Sequence, residues 1–236
     1  MTEEKSQLMT TVAKWSPSVS QPSHSLLNTA PCLAFIIKRG KIGIYLKELL
    51  QDLRNLMYPY TALKLKESKK NSLKDFVSAA GTFGVSHMMI MTQTENGNYL
   101  RIVKNPKGPT MVFKIEEYAL ARDVVKFQQA NKRHTKVFST TLQAAPLLIM
   151  NGFGTREEND PYKLASLMLQ SLFPPIKVQS MNLSTCKRVV LFNVKNSGRE
   201  QGEEGQESDP VLEFRHYGVS ARQRAVNRGI KKLVNN

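Results

Sequence analysis

Apolar residues in the first half of the chain recur in patterns typical of strands and helices. The short apolar run Cys32–Ile37, which follows Pro31, predicts a buried strand. From Ile42 to Met57 the apolar residues are spaced three and four positions apart, which predicts an amphipathic helix that Pro59 ends. This strand and helix therefore mark the predicted start of the folded region.

A second helix is predicted where a capping signal precedes the next apolar positions. Ser72 is the expected N-cap, and Asp75 forms a short-armed version of the capping box three residues later. The tetrapeptide Glu95-Asn96-Gly97-Asn98 is a strong hairpin signal. The elements predicted after the second helix are strands at Val85–Thr92, Tyr99–Lys104 and Met111–Ile115, and a helix at Ala119–Ala130.

The same order of elements begins again after residue 145. The dipeptide Asp160-Pro161 predicts an N-cap followed by proline at the first helical position, and Pro174 ends that helix. Strands are predicted at Pro146–Met150, Lys187–Lys195 and Val211–Tyr217. We therefore predict a mixed α/β (α+β) fold of two similar half-domains, residues 31–135 and 136–234, each a mostly antiparallel sheet with packed helices.

Two segments fall outside this pattern. Residues 1–30 are rich in Ser, Thr, Gln and Pro and show little periodicity, which predicts a flexible leader with Trp15 as its one large anchor. Residues 197–210 contain five acidic residues and predict a disordered acidic insert between two strands of the second half.

The charge balance points to a polyanionic partner. The formal net charge is +15 and the pI is about 9.9, values that favour binding to nucleic acid or to an acidic membrane face. No acidic residue lies between Asp160 and Glu200, whereas Lys and Arg continue through that stretch. Anion binding is therefore expected mainly in the second half.

Residues that carry metal or redox chemistry are sparse. The two cysteines, Cys32 and Cys186, form no CxxC pair, which suits a reducing compartment. The four histidines have no metal-ligand spacing, so we expect no metal and no cofactor. We also expect no secretion signal and no membrane span, because the uncharged runs contain Ser, Thr, Gln, Asn, Gly and Pro.

The candidate RNA-binding residues of the second half follow its last strand. Cations run on from Phe214 without an intervening acid, so a sheet edge would hold them in place for a phosphate backbone. Tyr217 is a candidate for stacking on a base, with packing of the strand as the alternative, and a solvated helix face is the alternative for the cations. The candidates are Arg215, His216, Tyr217, Arg222, Arg224, Arg228, Lys231 and Lys232.

The first half supplies two further basic groups, one at the turn after the first strand and one in a lysine-rich loop. Contact with phosphate and simple solvation both account for such lysines. The candidates are Lys38, Arg39 and Lys41 at the turn, and Lys69, Lys70 and Lys74 in the loop.

Several short stretches, in consistent order over about residues 31–234, resemble Brix-domain ribosome assembly factors, with the best match to the Peter Pan type. The stretches are Lys69–Phe76, Ala79-Ala80-Gly81, Gly84-Val85-Ser86-His87, Gly108-Pro109-Thr110, Tyr118–Val124, Leu172-Phe173-Pro174, Phe214-Arg215-His216-Tyr217 and Arg228–Leu233.

The resemblance implies a nucleolar, non-catalytic assembly factor of the large (60S) ribosomal subunit precursor. It implies as partners the pre-ribosomal RNA and other assembly-factor and ribosomal proteins of the pre-60S particle. It implies no membrane and no small-molecule substrate. The half most associated with RNA in this family is the second, in agreement with the charge distribution.

Two other classes of protein remain as alternatives. A dinucleotide-binding enzyme is disfavoured, because Gly152-Phe153-Gly154 lacks the third glycine, position 157 being Glu157, and lacks a ribose-binding acid downstream. An RNA-binding module of the translation machinery, similar to an anticodon-binding domain, predicts the same basic surface but a specific tRNA partner.

Overall fold

The structure is a computed structural model that describes residues 4–16, 33–68, 70–130, 142, 144–154, 161–174, 176, 186–195 and 210–220, with the backbone alone for 4–16. Its helices are α1 (Ile44–Met57), α2 (Leu73–Thr82), α3 (Ala121–Ala130) and α4 (Pro161–Ser171). Its strands are β1 (Glu4–Ser16), β2 (Ala34–Arg39), β3 (His87–Thr94), β4 (Gly97–Lys104), β5 (Thr110–Tyr118), β6 (Leu147–Asn151), β7 (Arg188–Lys195) and β8 (Val211–Ser220).

These elements confirm the predicted mixed α/β class. The predicted capping box at α2 is also confirmed: the Ser72 N–H donates to Asp75 Oδ2 at 2.7 Å, and the Asp75 N–H donates to Ser72 Oγ at 3.4 Å. Both bonds satisfy N–H groups that a helix start leaves without partners.

The eight strands form one sheet in the order β2-β3-β4-β5-β1-β8-β7-β6. The outermost pair at each end, β2 with β3 and β6 with β7, is parallel, and the inner pairs are antiparallel. The pattern of pairs is therefore the same when read inward from either edge, and corresponding strands of the two halves run in opposite directions, as in a twofold arrangement about the β5–β1 pair. In the second half β1 takes the place that β5 takes in the first.

The prediction of a flexible leader is wrong for Glu4–Ser16, which forms the central strand β1. Thr11–Ser16 pair with β5, and Glu4–Lys14 pair with β8. Hydrogen bonds to a strand on each side hold this segment in the sheet, so it forms a strand although its apolar periodicity is weak. Residues 17–30 lie outside the described residues, as does the acidic insert up to Asp209.

The main hydrophobic core lies on the face of the sheet that carries α1 and α4, called here the α1 face. It joins both halves: Leu49 and Leu53 of α1 and Leu169 of α4 belong to one cluster of buried side chains with Val190 of β7. A cavity of about 60 Å³, lined by apolar side chains from both halves, lies within it. A smaller cluster on the other face, the α2 face, packs Ala80 of α2 against strands β2 and β3.

Buried polar groups also tie the two halves together on the α1 face. Arg188 of β7 is fully buried and donates to the carbonyls of Leu56 (2.7 Å) and Tyr58 (2.9 Å) at the C-terminal end of α1, and to Ala144 O (2.5 Å). Burial lowers the pKa of Arg188 to about 10. Carbonyls at a helix C-terminus lack partners within the helix and carry partial negative charge, so they are suitable acceptors for a buried cation.

Candidate nucleic-acid interface

The cations predicted at the first turn lie at the end of the edge strand β2. Arg39 and Lys41 are exposed, and Lys38 is half-buried. Gly40 between them has a φ of 78°, a left-handed conformation that glycine adopts without strain. The turn therefore presents two of its three cations to solvent.

The outer edge of β2 is occupied by side chains of its own half. Arg54 donates to Ile36 O through Nε (3.1 Å) and Nη2 (2.7 Å), and its Nη2 lies 2.5 Å from Glu67 Oε1. The Lys38 N–H donates to Glu67 Oε2 at 3.1 Å. Glu67 thus places negative charge beside Lys38, which leaves Arg39 and Lys41 as the better candidates for phosphate.

The described lysines of the loop before α2 are exposed. Lys70 precedes the helix and Lys74 lies in its first turn, on the α2 side of the sheet. Lys69 lies outside the described residues. The structure places this group and the β2 turn in the same half of the sheet.

The three candidates on β8 do not share a face. Leu212, Phe214 and His216 point toward the core of the α1 face, so Arg215 and Tyr217 lie on the α2 face, where both are half-buried. The two side chains meet there. A hydrogen bond with Tyr217 is the main cause that raises the pKa of Arg215.

His216, which the sequence offers as an RNA contact, is not accessible to a partner in the structure. Its side chain is 2% exposed, and burial, with the positive charge of Arg188 as a second cause, lowers its pKa to about 3. Its Nε2 has no hydrogen-bond partner within the described structure. The ring is therefore a neutral group of the core at physiological pH.

Arg215 takes part in a polar network on the α2 face. Its Nη2 lies 3.2 Å from Glu213 Oε1, and Lys195 Nζ lies 2.6 Å from the same oxygen. Asn193 donates to Glu213 Oε2 at 3.2 Å and accepts from Asn151 at 2.8 Å. Burial acts to raise the pKa of Glu213, but the hydrogen bonds from Lys195 and Asn193 and the nearby cations lower it. Glu213 therefore offsets part of the positive charge of Arg215 and Lys195.

The remaining candidates of the second half lie outside the described residues: Arg222, Arg224, Arg228, Lys231 and Lys232. Sequence reasoning missed Lys114 of β5 and Lys195 of β7, both exposed on the α2 face. The alternation of apolar and polar residues along each strand signals the face of each lysine. Their mutual position depends on the register of the sheet, which no local pattern gives.

Gly152, the first glycine of the disfavoured dinucleotide motif, has a structural explanation. Its φ is 79°, and a Cβ at this position would overlap the Val194 carbonyl oxygen of β7. A side chain is therefore excluded by the close approach of two backbones.

No group of three or more His, Cys, Asp or Glu side chains that could hold a metal ion occurs within the described ranges. None of the helices in the described part of the chain is both long and apolar enough to cross a membrane.

Comparison with known proteins identifies the family to which the chain is similar. The family model for the Brix domain matches residues 40–234. A Peter Pan-like protein from Arabidopsis thaliana is 37% identical over 203 residues, which cover 86% of this chain and 54% of that protein. The Suppressor of SWI4 1 homolog of Mus musculus is 39% identical over 85% of this chain and 39% of its own length.

The ribosome biogenesis protein SSF1 of Saccharomyces cerevisiae is 38% identical over 85% of this chain and 44% of its own length, so the chain spans about half or less of these relatives. A crystal structure of a probable ribosomal biogenesis protein from Aeropyrum pernix K1 aligns with 81% of this chain and 98% of its own, at a TM-score of 0.44 and 11% identity. The family model and the curated relatives confirm the resemblance seen in the sequence: the chain belongs to the Brix-domain family, among proteins of the Peter Pan type.

Proposed function

We propose that this chain is a non-catalytic assembly factor of the large ribosomal subunit precursor that binds pre-ribosomal RNA in the nucleolus. The observation that carries the proposal is the family: yeast relatives at 36% and 38% identity are named ribosome biogenesis proteins. The net charge of +15 supports an RNA partner, because cations that neutralise phosphates supply most of the sequence-independent affinity for nucleic acid.

The proposed RNA contacts lie in both halves. In the first half they are Arg39 and Lys41 at the turn after β2, with Lys38 and the loop lysines Lys69, Lys70 and Lys74. In the second half Arg215 and Tyr217 lead into the arginines and lysines at positions 222–232. Other assembly factors and ribosomal proteins of the pre-60S particle are the proposed protein partners.

Crosslinking and sedimentation from the same cells test the proposal. The chain, expressed with an affinity tag, is crosslinked to RNA by ultraviolet light, and the bound RNA is sequenced. We expect reads from the large-subunit part of the pre-ribosomal RNA, and co-sedimentation with pre-60S particles on a sucrose gradient. Reads confined to tRNA, with the protein near the top of the gradient, would instead identify a module of the translation machinery.

The triple variant Arg222→Ala, Arg224→Ala, Arg228→Ala tests the second-half contacts in vitro. If all three arginines bind phosphates of a structured RNA, the slope of log affinity against log salt falls by about 2.7, at about 0.9 per contact. Fluorescence anisotropy at several salt concentrations measures the slope. An unchanged affinity and slope would remove these arginines from the interface.

A further inference from the structure

The register of the sheet aligns four cations in one row across both halves. Each pair of neighbours in the row consists of directly opposite residues on adjacent strands. Direct cross-strand neighbours lie on the same face of a sheet. In sheet order the row is Arg39, Thr92, Tyr99, Lys114, Lys14, Val211 and Lys195.

This row lies on the α2 face. On β5 the residues that alternate with Lys114, including Phe113 and Ile115, belong to the core of the α1 face, and on β8 the same is true of Leu212 beside Val211. The α2 face of β2 and β3 is covered by α2 around Ile37 and Ile90. The row begins at the margin of that covered area and extends across the sheet to β7.

Most of the row's described cations are accessible. Arg39 and Lys114 are exposed and have no ion pair among the described residues, and the side chain of Lys195 is 57% exposed although its Nζ contacts Glu213. Arg101 lies on the same face, one pair of residues along β4 from Tyr99, with a buried Nε that has no partner within the described structure. Lys14 occupies the register position between Lys114 and Val211.

Among the residues that the structure describes, the acidic side chains next to the row lie along one side of it. Glu213 and Glu117 are both paired in register with Val12 of β1, two residues from Lys14. On the other side of the row the corresponding positions are Ile90, Arg101 and Val112. A polyanion along the row would therefore be held away from the Glu213 side and toward Arg101.

The dimensions suit an extended strand of RNA. Adjacent strands are about 4.8 Å apart, so the six steps from Arg39 to Lys195 span roughly 29 Å. Tyr99 lies between Arg39 and Lys114 in this row, on the α2 face of the sheet, and is half-buried. Sheet faces that combine cations with an aromatic ring bind unpaired RNA, with bases stacked on the ring and phosphates on the cations.

We propose that an unpaired segment of RNA lies along this row, with its phosphates on Arg39, Lys114 and Lys195 and one base stacked on Tyr99. The proposal rests on the proposed function and adds to it a surface made by both halves jointly. Of these residues only Arg39 stands among the contacts that the sequence predicts.

The test compares two double variants of the 236-residue chain that remove the same charge from opposite faces. Arg39→Gln with Lys114→Gln alters the row. Lys47→Gln with Lys126→Gln alters exposed residues of α1 and α3, away from the row. Affinity for a fluorescein-labelled 12-nucleotide single-stranded RNA is measured by anisotropy from 0.05 to 0.4 M salt, and circular dichroism melting checks that both variants fold.

We expect the row variant to lower the salt slope by about 1.4, at about 0.7 per contact with single strands, and to weaken binding roughly 20-fold at 0.1 M salt. We expect the control to change affinity less than about twofold. Tyr99→Leu should weaken binding about fivefold or more through lost stacking, and should leave the slope unchanged.

The outcomes separate this proposal from the proposed function. If the wild type binds RNA and the two double variants reduce its affinity equally, or not at all, the row is not the binding surface. The general RNA-binding role is then left intact. Absence of any RNA binding by the wild type overturns that role and the row with it. A row variant that keeps its RNA affinity but loses affinity for a labelled polyglutamate peptide identifies an acidic protein as the occupant and overturns the proposal.

Discussion

The two faces of the sheet differ in whether their cationic and histidine side chains are buried or exposed. On the α1 face Arg188, His216 and His87 are buried, and Arg188 is bonded to backbone carbonyls of the opposite half of the chain. On the α2 face Arg39 and Lys114 are exposed to solvent. The α1 face therefore holds the two halves together, whereas the α2 face leaves its cations available to a partner. Variants on the α1 face should change stability, and variants on the α2 face should change RNA affinity.

Arg188→Leu is the variant with the largest expected effect on stability. It leaves three carbonyl groups without the donor that they have now, two of them at the end of α1. A buried acceptor without a partner costs about 1–3 kcal/mol, so we expect the free energy of unfolding to fall by about 3–5 kcal/mol. Urea denaturation measures it.

Arg215→Leu is the matched control, since it removes an arginine from the adjacent strand on the α2 face. Its expected change is below about 1 kcal/mol, because Glu213 keeps its contacts with Lys195 and Asn193 when the guanidinium is removed. Equal losses in the two arginine variants would contradict the division of roles between the faces.

Because two histidines are buried, we expect acid to destabilise the fold. Burial lowers the pKa of His216 to about 3 and that of His87 to about 4, from an ordinary 6.5. Between about pH 4 and 6.5 the unfolded chain therefore binds protons that the folded chain does not, so the free energy of unfolding falls as the pH falls. From pH 7 to pH 5 the loss is about 2 kcal/mol per histidine.

Urea denaturation of His216→Leu at pH 7 and pH 5 isolates one of these contributions. We expect the variant to lose about 2 kcal/mol less than the wild type over this interval. Identical pH dependence of the two proteins would show that His216 is accessible to protons in the folded chain.

Ser171→Ala tests a smaller link between the halves. Ser171 Oγ donates to Met168 O in its own helix and lies within hydrogen-bond distance, 2.9 Å, of His87 Nε2 of β3. Loss of this hydroxyl leaves a buried ring nitrogen without its partner, so the expected cost is about 1–2 kcal/mol. Ser166→Ala in the same helix is the control, since its hydroxyl bonds to Lys163 O nearby. The experiment compares urea midpoints, and a cost for Ser166→Ala as large as that for Ser171→Ala would contradict a link between halves.

Local patterns in the sequence predict much of this fold and less of its interface. The helical spacing from Ile42 to Met57 gives α1, and the Ser72 and Asp75 pair gives the start of α2, because both signals are complete within a few residues. The strand β1 was missed because its neighbours β5 and β8 are distant in sequence.

The face of His216 was available from the sequence: it alternates in step with Leu212 and Phe214, whereas its motif alone suggested an RNA contact. The alignment of Arg39 with Lys114 and Lys195 was not available, because it depends on six separate strand registers. The sequence of a strand gives the face of each residue but not its neighbours.

Glu213→Gln should have the smallest effect on stability, below about 1 kcal/mol, and should increase RNA affinity. The carboxylate lies beside Lys195 and Arg215 on the α2 face, so its removal frees about one positive charge for phosphate. One added contact with single-stranded RNA corresponds to roughly fivefold tighter binding at 0.1 M salt. Glu48→Gln removes the same charge from α1, where Glu48 pairs with Arg122, and should leave the affinity unchanged. Anisotropy titrations of both variants measure the change in RNA affinity. An equal gain in affinity would mean that net charge alone matters. Weaker binding by Glu213→Gln would mean that Glu213 positions Lys195 and Arg215 for the RNA.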